Sequence, residues 1–232
     1  MYLQDINGEP AAQTLAESAY SRLRSDIISG KRPAEERLRI ERLSRLYDVG
    51  PTPLREALQR LWADGLVLSR GNRGFAVAPL DIAEFYDLNV ARTAVEKEAV
   101  TLSIELGDDD WEAGVVAAAY RLEKQDAALL RDSESALDTW EAANTAFHLA
   151  TVSACGSRWL LKVRARLHDQ CERYRRASVD LRRSERDLAK EHRLIKEAVL
   201  DRDVETARAQ ITEHFATTTQ ILSDEMTPGQ RS

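Results

Sequence analysis

The chain has 232 residues, 43% hydrophobic and 31% charged, which is enough apolar material for two modest cores and excludes a largely disordered chain. The net charge is −6, but residues 1–79 carry 12 Lys and Arg against 10 Asp and Glu, and the remainder 21 against 29. A nucleic-acid contact is therefore confined to the N-terminal third rather than excluded, because phosphate binding needs only a local cationic surface. No apolar run approaches the ~18 residues of a membrane span, Met1–Pro10 does not read as a signal peptide, and Cys155 and Cys171 make no disulfide framework. A cytoplasmic protein is expected.

In chain order, Thr14–Gly30 is predicted to be a helix with Leu15, Tyr20, Leu23, Ile27 and Ile28 inward. Leu38 to Tyr47 is a short amphipathic helix with Ile40, Leu43 and Leu46 inward. The next helix starts at Gly50-Pro51, a residue able to cap followed by one whose missing N–H costs nothing at the first helical position. Leu54, Ala57, Leu58 and Leu61 form its apolar face, Arg55 points off that face near the helix start, and Gly65 ends it. Leu66–Leu68 and Phe75–Ala78 are strands joined by the turn Gly71–Gly74. Helix, turn, helix and β-hairpin in that order describe a winged helix-turn-helix. Residues 37–73 hold eight arginines and four acids. Arg42 and Arg45 read either as phosphate contacts or as a solvated face.

Beyond Pro79 only helices are predicted: 81–106, 109–131, 135–154, 157–178, 182–201 and 203–225. The expected fold class is mainly α, with the winged domain at 13–78 and an antiparallel bundle at 81–226. Polar residues interrupt the apolar stripes: Arg92 on the first helix, Asn144 and His148 on the third, Arg164 and Tyr174 on the fourth, His192 on the fifth, His214 on the sixth. A stripe stepping by three or four residues faces inward, and buried polar groups are costly unless paired. One internal polar cavity is expected. Asn144 and His148 lie four apart and point the same way, a spacing that can share a metal but is weak on its own. An inward Arg92 either binds a carboxylate ligand or pairs with Glu96. Arg164 either binds the same ligand or snorkels outward, and Tyr174 either donates to it or packs. His168 is expected to be structural or partly exposed. Arg173, Arg175 and Arg176 read as a solvated face, and Trp111, Trp140 and Trp159 as core.

Residues 17–78 resemble the GntR superfamily of bacterial transcription regulators. The resemblance is carried by Leu23–Gly30, Arg37-Leu38, Pro53–Leu58, Asp64–Val67 and Arg73–Val77. Residues 80–226 resemble the helical effector domain, FCD type, of its FadR branch, and the chain is similar to carbon-starvation regulators of the CsiR/GlaR kind in Val49–Pro51, Trp111–Ala113 and Phe147-His148. The resemblance implies a dimeric DNA-binding regulator, a repressor, and no enzyme. It implies that Arg55 and Thr52 read operator DNA and that Arg73 and Gly74 form the minor-groove element. Where the family has Ser-Arg, Gly50-Pro51 stands here, so one base-reading Arg is missing. It implies a divalent metal, zinc first and nickel, manganese or cobalt as alternatives, held by His148, His192, His214 and, in place of the usual Asp, Asn144. It also implies a small carboxylate effector, such as the dicarboxylate glutarate, for which the stripes offer Arg92, Arg164 and Tyr174 as candidate contacts. The alternative is a metal-dependent enzyme built on the bundle. It lacks an evident base, because Glu191 and Glu213 adjoin metal histidines and should point off the stripe.

Overall fold

The structure, a computed structural model, describes residues 14–71, 74–131, 133–178 and 186–226. The chain divides into two compact units, Met1–Pro79 and Leu80–Ser232. No helix among the described residues is long and apolar enough to cross a membrane.

In the first unit α1 (Leu15–Ile28), α2 (Ile40–Tyr47) and α3 (Pro51–Ala63) pack with three short strands, β1 (Arg37–Leu38), β2 (Val67–Ser69) and β3 (Phe75–Val77). Leu23, Leu43, Leu54, Leu58 and Leu61 are fully buried at the centre, each contributing about 1.5–3 kcal/mol of transfer free energy. Gly50 caps α3 with Pro51 in its first turn, as its sequence predicts. The helix ends in a Schellman motif. Gly65 adopts φ +77°, which only glycine reaches without strain, and its N–H donates to the Trp62 carbonyl while Leu66 N–H donates to Leu61. Arg37-Leu38 is a strand rather than the start of α2. Leu38 pairs with Phe75 and fills the core, giving a three-stranded sheet of order β1-β3-β2 in place of a bare hairpin. Helical spacing also misplaced two leucines: Leu15 and Leu46 are exposed, and Tyr47 is the buried residue at the end of α2.

The second unit is a helical bundle of α4 (Ile82–Leu106), α5 (Asp109–Arg131), α6 (Ser133–Val152), α7 (Arg158–Ser178), α8 (Leu188–Leu200) and α9 (Val204–Met226). Asp81 and Asp187 cap α4 and α8 through hydrogen bonds to the backbone N–H three residues on. The start of α8 at Leu188, later than periodicity suggests, follows from that cap. α5 packs on α6, α4 on α7 and α9, and α8 lies against α5 and α9. Trp111 and Trp140 are core, but Trp159 is 62% exposed, contrary to its expected place. Arg173, Arg175 and Arg176 are not a solvated face either. Arg173 is buried, Arg175 pairs with the buried Glu141 (2.9 Å), and Arg176 bridges Glu172 and Asp138.

Candidate functional site

Two groups of residues are candidates for the chemistry, one on the surface of the first unit and one in the interior of the second. In the first unit Thr52 and Arg55 stand exposed on the opening turn of α3, on the side away from Leu54, Ala57 and Leu58. No acid among the described residues, Glu56 and Asp48 included, lies within ion-pair distance of Arg55. At the helix start only Thr52 among the first three residues has a backbone N–H, because Pro51 and Pro53 have none, and Leu54 N–H donates to the Gly50 carbonyl. Arg42 and Arg45 are exposed on α2. Arg42 approaches Glu36 only at 4.0 Å, and Arg45 Nε donates to the Glu41 carbonyl. Gly74 closes the β2–β3 turn at φ +83°, where Arg70 N–H donates to its carbonyl. Arg73, and with it the wing tip, lies outside the described residues.

In the second unit α6, α8 and α9 bring His148, His192 and His214 together. Their ring centroids lie 5.1–5.8 Å apart, and one potential ligand atom from each lies within 4.8 Å of the others. All three are buried. Nε2 of His148, Nε2 of His192 and Oδ1 of Asn144 are buried without a hydrogen-bond partner. Interior polar atoms are rarely left so, because each costs its full desolvation.

Two of the histidines are held from behind by carboxylates. Asp126 on α5 takes Trp140 Nε1–H at Oδ1 (2.7 Å) and lies 3.1 Å from His192 Nδ1 through Oδ2. Glu191 on α8 lies 2.7 Å from His214 Nδ1 and is gripped bidentately by Arg186 (2.7 and 2.6 Å). The tautomer that donates Nδ1–H to these carboxylates leaves Nε2 of His192 and of His214 as a base toward the cluster. Burial, reinforced by the positive character of His214, His192, Arg92 and Arg164, pushes His148 well below the usual imidazole range. Burial likewise brings His214 down to about 3, against the opposing pull of Glu191. For Glu191, burial alone would raise the carboxyl, but the hydrogen bonds from Arg186 and His214 outweigh it and hold it at about 2. His148 and His214 are therefore neutral at neutral pH, the form that binds a metal.

Asp126 and Glu191 are the functional residues that sequence reasoning missed. Asp126 had a signal: it interrupts the α5 stripe of Trp111, Val115, Ala118, Leu122 and Leu129, all buried. Glu191 was expected to point off the stripe, and instead it reaches across to α9.

Among the effector candidates, Arg92 is buried and lies over the Phe215 ring at 3.9 Å, the same ring that His148 approaches at 5.9 Å. Its Nε has no partner, and burial lowers its pKa. Glu96 does not pair with it. That carboxylate belongs to Arg164, through Nε–Oε2 at 2.7 Å and Nη2–Oε1 at 2.9 Å, so Arg164 neither snorkels outward nor stands free. Tyr174 sits in a separate cluster with Phe85, Cys171 and Leu222, and its hydroxyl accepts from Asp81 N–H at 3.2 Å. No hydrogen bond among the described residues links it to the histidines. His168, expected to be structural, is buried with Nε2 3.0 Å from the Thr145 hydroxyl.

Residues 15–77 match the family model of bacterial regulatory proteins of the gntR family, and residues 87–217 match the FCD domain. The HTH-type transcriptional regulator BphR of Paraburkholderia xenovorans is 37% identical over 90% of this chain and 86% of its own length. The HTH-type transcriptional repressor GlaR of Escherichia coli is 38% identical over 89% and 95%. Among solved structures, McbR/YncC of E. coli superposes with a TM-score of 0.77 at 19% identity, covering 92% of this chain and 99% of that one, a likeness of fold.

Proposed function

The chain belongs to the GntR family of DNA-binding transcription regulators and carries an FCD domain, and from that premise we propose that it is a dimeric, cytoplasmic repressor released by a small carboxylate. Residues 13–78 read the operator and residues 81–226 bind the effector and dimerise. Arg55 contacts base edges, Thr52, Arg42 and Arg45 contact phosphates, and Arg73 with Gly74 enters the minor groove. Two copies place their recognition helices on half-sites related by two-fold symmetry.

The observation that carries the effector reading is the set of unpartnered inward atoms, Nε2 of His148, Nε2 of His192 and Oδ1 of Asn144, in a cluster that His214 completes. Such a donor set fits a divalent ion, and three imidazoles suit zinc, with nickel, manganese or cobalt as alternatives. When bound, the ion supplies a Lewis-acid contact for one carboxylate oxygen. The protein's own part is to orient and to discriminate. Asp126 and Glu191 fix the tautomers of His192 and His214, and Phe147 and Phe215 wall the cluster at 5.3–5.9 Å. Arg92 offers its guanidinium beside Phe215 to the carboxylate. Arg164 is held by Glu96 rather than free to bind ligand. A ligand that binds better in one arrangement of the two domains shifts the population toward it, and repression is lost when that arrangement no longer matches the half-site spacing. A dicarboxylate such as glutarate is the first candidate, on the likeness to the repressor GlaR.

The test is operator binding, followed by fluorescence anisotropy with DNA selected by the protein itself, while acetate, succinate and glutarate are titrated in the presence of zinc. Release by a carboxylate, lost in Arg92→Ala with operator affinity intact, is the expected result. Operator binding indifferent to every carboxylate rejects the reading.

A further inference from the structure

The exposed start of α3 is poor in hydrogen-bonding groups. Pro51 and Pro53 bring no N–H, Leu54 N–H is taken by the Gly50 carbonyl at 3.3 Å, and Gly50 brings no side chain. A helix start of this kind is a weak cradle for a phosphate, which needs several backbone N–H groups aimed at it. What it presents outward is apolar: Pro51 is exposed, and its ring carries neither donor nor acceptor. Packing does not account for this bareness. A Cβ on Gly50 would meet only Pro53 Cδ, at 3.9 Å, and its φ of −60° suits any residue. Proline suits the first helical position, but so do many other residues, and the fold buries nothing with this one.

Pro51 lies four residues before Arg55, so the two share a side of the helix, about 6 Å apart along its axis. That distance is less than two base-pair steps of about 3.4 Å. An arginine fork with no acid beside it suits O6 and N7 of guanine. The neighbouring ring suits something else. Of the groups on the major-groove edges, only the 5-methyl of thymine is apolar. Against the polar edge of any other base, the ring would displace water and return no hydrogen bond. Resting on the reading that α3 enters the major groove, we propose that Pro51 is a specificity-determining residue, which selects through its 5-methyl group a thymine within about two base pairs of the guanine contacted by Arg55. Pro51 thus narrows the choice of operator without adding a hydrogen bond or a charge.

The experiment uses the full-length protein and an operator that it selects from random DNA. Each thymine of the half-sites is replaced in turn by deoxyuridine, which removes the methyl and leaves base pairing intact, and affinity is read by fluorescence anisotropy. One position, within about two base pairs of the guanine at which Arg55→Ala relaxes specificity, should lose about fourfold in affinity per half-site, the worth of one buried methyl. In Pro51→Ser the loss at that position should vanish, while the salt dependence of binding stays unchanged because no phosphate contact is removed. Pro51→Ala makes the same comparison if Pro51→Ser does not fold. An operator in which every thymine tolerates uracil, or whose half-sites have no thymine in that span, overturns the inference and leaves the contact by Arg55 standing. A uracil penalty that persists undiminished without the Pro51 ring overturns the role of that residue. Operator affinity unchanged in Arg55→Ala overturns the docking of α3, and this inference with it.

Discussion

The opening turn of α3 and the interior of the bundle both present polar atoms without protein partners, and the two differ in what surrounds them. On α3, Thr52 and Arg55 stand in solvent, where water satisfies them until a partner arrives, and the apolar side of the same helix does the folding. In the bundle, Asn144, His148 and His192 hold their free atoms in the interior, where no protein group among the described residues pairs with them. The first arrangement costs little stability and is available to DNA at a phosphate-rich surface. The second is destabilising unless something is bound, and the bundle meets that cost with surrounding pairs: Asp126 with His192 and Trp140, Glu191 with His214 and Arg186, Glu96 with Arg164. Binding groups at a surface can be separated from folding. Binding groups in a core cannot.

The sharpest way to break this contrast is Glu96→Ala, which leaves the Arg164 guanidinium buried and unpaired. It should lower the unfolding free energy of the protein by about 3–5 kcal/mol, read by denaturant melts, as breaking a buried pair from one side does. A loss below 1 kcal/mol would mean that the pair is hydrated. Asp126→Asn tests the next layer. It should keep the fold but weaken zinc binding about 10–100-fold, because it removes the acceptor that fixes the His192 tautomer. Arg55→Ala should do the opposite of both. Specific operator binding should weaken by about 1–3 kcal/mol while the melting temperature stays unchanged. Operator affinity equal to wild type would remove Arg55 from the contact surface. The smallest effect is that of mild acid on metal-free protein. His148 and His214 are held below 6.5 in the folded state, so the unfolded chain binds more protons once the pH drops through that value. Their contribution is intact above pH 6.5 and is lost as pH falls, for His214 down to about 3. Scanning calorimetry from pH 7.5 to 6 should show only the onset of that decline, and saturating zinc should displace it to lower pH.

Where the two regions were legible in the sequence follows the same division. The stripe Leu54, Ala57, Leu58, Leu61 located α3 and put Arg55 outside, because helical period alone decides which side is buried. His148, His192 and His214 were legible as inward interruptions of apolar stripes, and the structure gathers them. Periodicity failed at edges. Leu15 and Leu46 continue their stripes past the point where the core ends, and Arg37-Leu38 is too short to declare itself a strand without β3 beside it. It failed again where one charge buries another. A rule that counts acids as solvent-facing gave Glu96 the wrong partner and overlooked Asp126, Glu141 and Glu191. Each of these acids is held by a partner distant in sequence: Arg164, His192, Arg175 and His214. Such pairs become visible only when the helices are set side by side.

The central claim is that the three buried histidines and Asn144 hold a divalent ion together with an anionic ligand. Thermal melting of metal-stripped protein with zinc and acetate added together, alongside elemental analysis of the desalted complex, tests it most directly. A raised melting temperature and about one zinc per chain are expected in wild type, with both lost in His148→Ala and His192→Ala. An unchanged melting temperature and negligible zinc in wild type would contradict it, and would leave the histidines as core residues of a regulator whose effector binds elsewhere.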